Sequence, residues 1–158
     1  MRELILLRHA HADAASTGQA DLDRPLSPVG LAEAEAAGRW LKENHLLPDC
    51  VLCSPARRTR ETLEAVMAIT GYVEKRLEDR IYEATPGTLM SLVDDRREVE
   101  RLMIVGHNPG LEQLVALMSE GSSSDYRGMP PAGVAVLQFP REAAIEPAVA
   151  TLVSFWWP

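Results

Sequence analysis

The first apolar run of the chain, Leu4 to Leu7, passes directly into Arg8 and His9 with no turn residue between. Unbroken apolar positions predict a strand over residues 3–8 that is covered on both faces. The next segment changes period. Leu31, Ala34, Gly38 and Leu41 recur at intervals of three and four, which predicts a helix over 28–44 with one apolar stripe. Ser27-Pro28 supplies its start, a capping hydroxyl followed by a residue pre-set for the first helical position. The same punctuation returns at Ser54-Pro55 and Thr85-Pro86, opening helices with Leu63, Val66 and Met67, then Leu89, Leu92 and Val93, turned inward. Short apolar runs at 50–53 and 101–105 predict two further strands, and Asn108-Pro109 opens a fourth helix carrying Leu111, Leu114, Val115 and Met118. GSSSDYRGMPPAG, residues 121–133, is loop by composition, and 134–139 and 151–156 predict two last strands.

Strands alternating with helices predict an α/β fold, a three-layer α/β/α sandwich on a mainly parallel central sheet. No internal repeat or long linker interrupts the pattern, so residues 1–158 are expected to form a single domain. That length is enough to bury a sizeable core.

Composition narrows the function. The net charge of −7 lacks the basic excess of a nucleic-acid surface, so any anion site must be a local pocket of arginines. No segment has the apolar length of a membrane span, and four apolar residues are too few for the core of a signal peptide, so a cytoplasmic protein is expected. Cys50 and Cys53 have CxxC spacing, but they sit in a strand pattern rather than at a helix start, where a thiolate would be stabilised. Two ordinary thiols are expected.

Three predicted strands end in residues of matching character. The first ends in Arg8-His9, the second in Ser54-Pro55 with Arg57 and Arg58 just beyond, and a later one in Gly106-His107-Asn108-Pro109. Ligands of open α/β sheets sit beyond the carboxyl ends of the strands, so parallel pairing would gather these groups on one edge. Guanidinium forks match phosphate oxygens, and helix N-termini offer free N–H groups: these are the parts of an anion site. Asp21, Asp23 and Arg24 flank the first loop and are candidates for its rim.

This arrangement resembles the histidine phosphatase superfamily. The resemblance rests on Arg8-His9, on Ser54-Pro55 with Arg58 and Thr62, on Gly106-His107, and on Leu26-Ser27-Pro28-Val29-Gly30, similar to the family's LTxxG helix start. Short length, the DRPLS stretch and GHNP are similar to the SixA-type phosphohistidine phosphatase branch. The likeness is clear over residues 2 to about 118 and looser beyond. It implies a phosphoglycerate mutase-like fold and a phosphatase working through a covalent phosphohistidine on His9. Arg8, Arg58 and His107 would bind the phosphoryl oxygens. It also implies a phosphorylated protein as partner, of histidine phosphotransfer type, or a small phosphorylated substrate, with phosphate or sulfate suited to the site and no cofactor or metal. Where the family usually has glycine this chain has Ala10, tolerable if the backbone there keeps a negative φ. The general acid is open between Glu83, in IYEAT, and Asp13. A labile P–N bond has less need of a strong acid, which tilts the expected substrate toward phosphohistidine.

Competing readings are bland ones. His11 lies two residues from His9, but zinc asks for three or four ligands and no further cluster appears. His45, Arg57 and Arg60 read as surface residues, and Trp156 and Trp157 as edge packing. The 121–133 loop is the one stretch long enough to cover the site. A small-metabolite phosphomonoesterase, or a catalytically silent phosphoprotein-binding module, are the alternatives. A mutase lacks room for the expected insertions, and no G-x-G-x-x-G or P-loop supports nucleotide binding.

Overall fold

The computed structural model describes residues 1–125 and 127–158. Six strands form one sheet: β1 (Arg2–Arg8), β2 (Cys50–Cys53), β3 (Glu74–Leu77), β4 (Arg101–Gly106), β5 (Val134–Phe139) and β6 (Thr151–Trp156), in the order β3-β2-β4-β1-β5-β6. β3, β2, β4 and β1 pair in parallel, whereas β5 is antiparallel to both neighbours. Four helices complete the fold: α1 (Pro28–Glu43), α2 (Arg57–Thr70), α3 (Pro86–Asp94) and α4 (Gly110–Glu120).

The period-two geometry of the strands sorts the core into two halves. Ile5, Leu7, Val51, Val105 and Val134 face one way and pack with Ala34, Ala37 and Leu41 of α1 and Leu63 and Val66 of α2. Leu4, Leu6, Leu52, Ile104 and Leu137 face the other way, against Leu89 and Leu92 of α3 and Leu111, Leu114 and Met118 of α4. The result is the expected α/β/α sandwich. Cys50 and Cys53, three apart, fall on opposite faces of the sheet and are both buried and free. Burial pushes the Cys53 thiol up to about 12.

Two helix starts follow their sequence signals closely. Ser27 caps α1 by accepting from the Gly30 N–H, and Thr85 caps α3 by accepting from the Thr88 N–H. Gly30 is required by contact as well, because a Cβ there would lie 1.9 Å from the His11 carbonyl oxygen. That close approach ties the start of α1 to the loop leaving β1. α2 begins two residues later than its proline signal suggests, at Arg57, and α4 one residue later, at Gly110. β3 carries no apolar signature at all: Glu74, Lys75, Arg76 and Leu77 are all exposed on a sheet edge. No helix among the described residues is long and apolar enough to cross a membrane.

Candidate active site

The register of the sheet brings the three motif-bearing strand ends together. Arg8 pairs with Gly106 and Cys53 with Val105, so β1, β2 and β4 stop on one line. The next residue of each continues the ladder: the His9 N–H donates to Gly106 O and the Ser54 N–H to Val105 O, both at 3.1 Å. His9, Ser54 and His107 therefore emerge side by side.

The two histidine rings have centroids 5.3 Å apart. His9 Nδ1 lies 2.7 Å from the carbonyl oxygen of Ala10. A carbonyl only accepts, so Nδ1 carries the proton and Nε2 keeps its lone pair. Burial lowers His9 to about 4; the Ala10 carbonyl, next in weight, works the other way, and the charges of Arg8, Arg58 and Arg24 add to the lowering. His107 is lowered to about 3, first by burial and then by the proximity of His9 and Arg58. Both rings are thus neutral near pH 7.

Ala10 itself is buried, lies outside the left-handed region, and donates its N–H to Thr62 Oγ1 at 3.0 Å. Thr62 in turn donates to the Arg58 carbonyl at 2.7 Å. One hydroxyl of α2 therefore fixes the backbone beside His9 to the turn that carries Arg58.

Arg58 is almost fully buried, and its guanidinium donates to the Asp21 carbonyl at 2.8 Å and to Asp21 Oδ2 at 3.1 Å. Asp21 also accepts from the Tyr82 hydroxyl at 2.5 Å and pairs with Arg24 at 3.0 Å. Those contacts, the tyrosine first, hold its carboxyl well below the usual range. Arg8 donates through Nη1 to the Met129 carbonyl, which also accepts from Asn108 Nδ2. The end of the 121–133 loop is thereby pinned to the site. Residue 126 of that loop lies outside the described residues, and the expected cover lies there in part.

Among the described residues, four buried side-chain polar atoms lack a hydrogen-bond partner: Arg8 Nε, Arg58 Nε, His107 Nδ1 and Asn108 Oδ1. All four belong to this cluster. Buried polar groups are almost always paired, so unmatched guanidinium donors in one place are the mark of an anion site.

The cavity beside the cluster holds about 390 Å³ and is lined by Arg58, His107, Asp21, Tyr82, Glu83 and Gln113 among others. Glu83 is on its wall, with φ of 61°, a left-handed conformation that non-glycine residues hold only under local constraint. The neighbouring Ala84 carbonyl presses on Gly110, where a Cβ would sit 2.6 Å away. Asp13 is exposed and is not part of this wall.

His11 turns aside, its Nδ1 2.7 Å from Ser27 Oγ. Among the described residues no three His, Cys, Asp or Glu side chains are grouped so as to hold a metal ion. Asp23 is exposed with no side-chain partner on this rim, whereas Asp21 and Arg24 do take part. Arg57 and Arg60 lie on the exposed face of α2, Arg57 paired with Glu61 at 3.3 Å. Trp156 stacks on Trp40 at 5.4 Å. Sequence reasoning missed Tyr82, Asn108 as a side-chain participant, and the Met129 carbonyl. Only Asn108 had a signal, its place in GHNP.

A family model described as the histidine phosphatase superfamily, branch 1, matches residues 4–103. An uncharacterised protein of Mycobacterium tuberculosis is 38% identical over 162 residues, spanning 96% of this chain and 99% of that one. A solved chain from Agrobacterium tumefaciens, provisionally named phosphohistidine phosphatase SixA, superposes with a TM-score of 0.87 at 32% identity, covering 99% of this chain and 98% of its own. A second chain of the same provisional name, from Nakamurella multipartitia, gives 0.84 at 31% identity over 99% and 96%.

Proposed function

The chain belongs to the histidine phosphatase superfamily, and from that premise we propose that it is a phosphatase with His9 as nucleophile, acting on phosphohistidine in a partner protein. The observation that carries this reading is the pairing of an unprotonated His9 Nε2 with the unmatched guanidinium donors of Arg8 and Arg58.

In the first step the Nε2 lone pair attacks phosphorus. A P–N bond to His9 forms, the bond to the leaving imidazole breaks, and that imidazole gains a proton. In the second step water attacks phosphorus, the bond to His9 breaks, inorganic phosphate departs and one proton is released. Phosphoryl transfer demands placement and charge stabilisation more than covalent assistance. Arg8 and Arg58 supply that charge in a buried setting where it acts strongly, so no metal ion is required.

Substrate identity is supported by the provisional name shared by the Agrobacterium and Nakamurella chains. On this reading the partner is a histidine phosphotransfer-type domain, met in the cytoplasm. One observation favours a second reading, a small phosphomonoester. Glu83 stands on the cavity wall, where it can protonate an alcohol leaving group.

The test compares two substrates. Wild type should hydrolyse both a phosphohistidine protein and an aryl phosphate, and His9→Ala neither. Glu83→Gln should keep phosphohistidine turnover and lose most aryl phosphate turnover. Loss of both in Glu83→Gln would count against the phosphohistidine assignment, and activity surviving in His9→Ala would remove the nucleophile.

A further inference from the structure

Ser54 is fully buried at the end of β2, and the reading above gives its side chain no task. Its Oγ has two partners. The Ala56 N–H donates to it at 3.3 Å, and His107 Nε2 lies 2.7 Å away. A serine hydroxyl has one proton to give. Ala56 N–H cannot accept it, so His107 Nε2 is the acceptor the structure offers. The reverse arrangement would aim two N–H groups at Oγ and leave a fully buried hydroxyl proton without a partner, which is costly.

We propose that Ser54 is a positioning residue that sets the tautomer of His107: its hydroxyl donates to Nε2, and the ring's own proton is held on Nδ1. Nδ1 is the buried ring nitrogen with no partner in the protein. On a residue that lines the cavity beside His9, it becomes a neutral donor to a phosphoryl oxygen. The other tautomer would direct a lone pair at the anion and repel it.

The two histidines are then opposites built from one side-chain type. The Ala10 carbonyl forces the proton of His9 onto Nδ1 and frees Nε2 as nucleophile. The Ser54 hydroxyl holds Nε2 of His107 and makes Nδ1 the donor. Hydrogen bonds on the far nitrogens assign the near ones their roles. This inference rests on the phosphatase reading for its use, but the tautomer itself can be observed without turnover.

The experiment is nitrogen-15 NMR of the histidine rings in the intact protein, with the His107 signals identified by their absence in His107→Gln. The expected spectrum has His107 protonated at Nδ1 and bare at Nε2, and Ser54→Ala moves the proton toward Nε2. A rate comparison accompanies it. Removing one well-placed donor costs roughly a hundredfold, so Ser54→Ala should lose about that much at about pH 8. Ser54→Thr, which keeps the hydroxyl, should restore most of that rate, because the hydroxyl and not the packing sets the ring.

The groups facing His107 are Arg8 at the end of β1 and His9 just after it, Arg58 from α2, Asp21 from the loop before α1, and Tyr82 and Glu83 from the wall. All remain in the variant, so a change in the ring's tautomer reports on Ser54. A wild-type His107 protonated at Nε2 overturns the proposal, as does a Ser54→Ala variant whose His107 keeps its proton on Nδ1. If Ser54→Ala does not fold, the wild-type spectrum decides alone. A chain with the expected tautomer and no hydrolysis would refute the phosphatase reading and leave this assignment intact.

Discussion

Acidification from about pH 7.5 to about pH 5 is expected to destabilise the fold through His9 and His107. In the unfolded chain both rings titrate near 6.5, whereas in the folded chain they are lowered to about 4 and about 3. Between those values the unfolded state binds more protons, so stability rises with pH there and is lost as pH falls below 6.5. At pH 5 the unfolded ring is about 1.5 units below its own value while the folded ring remains neutral. At about 1.4 kcal/mol per unit, that is about 2 kcal/mol for each ring and about 4 kcal/mol for the pair. This is a sizeable share of a domain's usual stability. The assay is urea unfolding at both pH values, for wild type and for a His9→Gln, His107→Gln double variant. The variant should lose most of the difference between the two pH values. Carboxylates titrate equally in both proteins, so the comparison isolates the rings. An unchanged pH dependence in the double variant would refute the claim that burial among guanidiniums keeps these histidines neutral.

Three shorter expectations concern the scaffold. Thr62→Val strands the buried Ala10 N–H, so about 1–3 kcal/mol of stability should be lost, with a fall in Tm of roughly 2–10 °C; an unchanged Tm would show that the hydroxyl is not needed there. Gly30→Ala drives a Cβ into the His11 carbonyl and should cost about 1–3 kcal/mol or more by thermal unfolding. Cys50 and Cys53 should both resist a chromogenic thiol reagent at neutral pH until denaturant is added; rapid labelling of the folded chain would contradict their burial.

Much of this molecule is legible in its sequence because local chemistry and tertiary structure agree. Ser27-Pro28 and Thr85-Pro86 mark helix starts because there the hydroxyl is left to cap and the proline takes the first helical position. The runs at 134–139 and 151–156 mark strands at the bounds observed. The convergence of Arg8, His9, Arg58 and His107 follows from parallel pairing of strands whose ends carry polar residues. What stays hidden is hidden for physical reasons. Glu74 to Leu77 form an edge strand through backbone pairing alone, and four exposed side chains leave no periodic trace. Ser54-Pro55 looks like a cap, but the hydroxyl is drawn to His107 and α2 starts at Arg57. Tyr82 reaches Asp21 across 61 residues of sequence, and the Met129 contribution is a main-chain carbonyl that any residue would supply.

The most direct measurement is to quench the protein during reaction with phosphoramidate or a phosphohistidine protein and to locate the phosphoryl group by peptide mass analysis. The expected result is a single acid-labile, base-stable phosphoryl group on His9, absent in His9→Ala and formed equally well with EDTA present. A phosphoryl group on another residue, none in the wild type under turnover, or dependence on added metal would contradict the account.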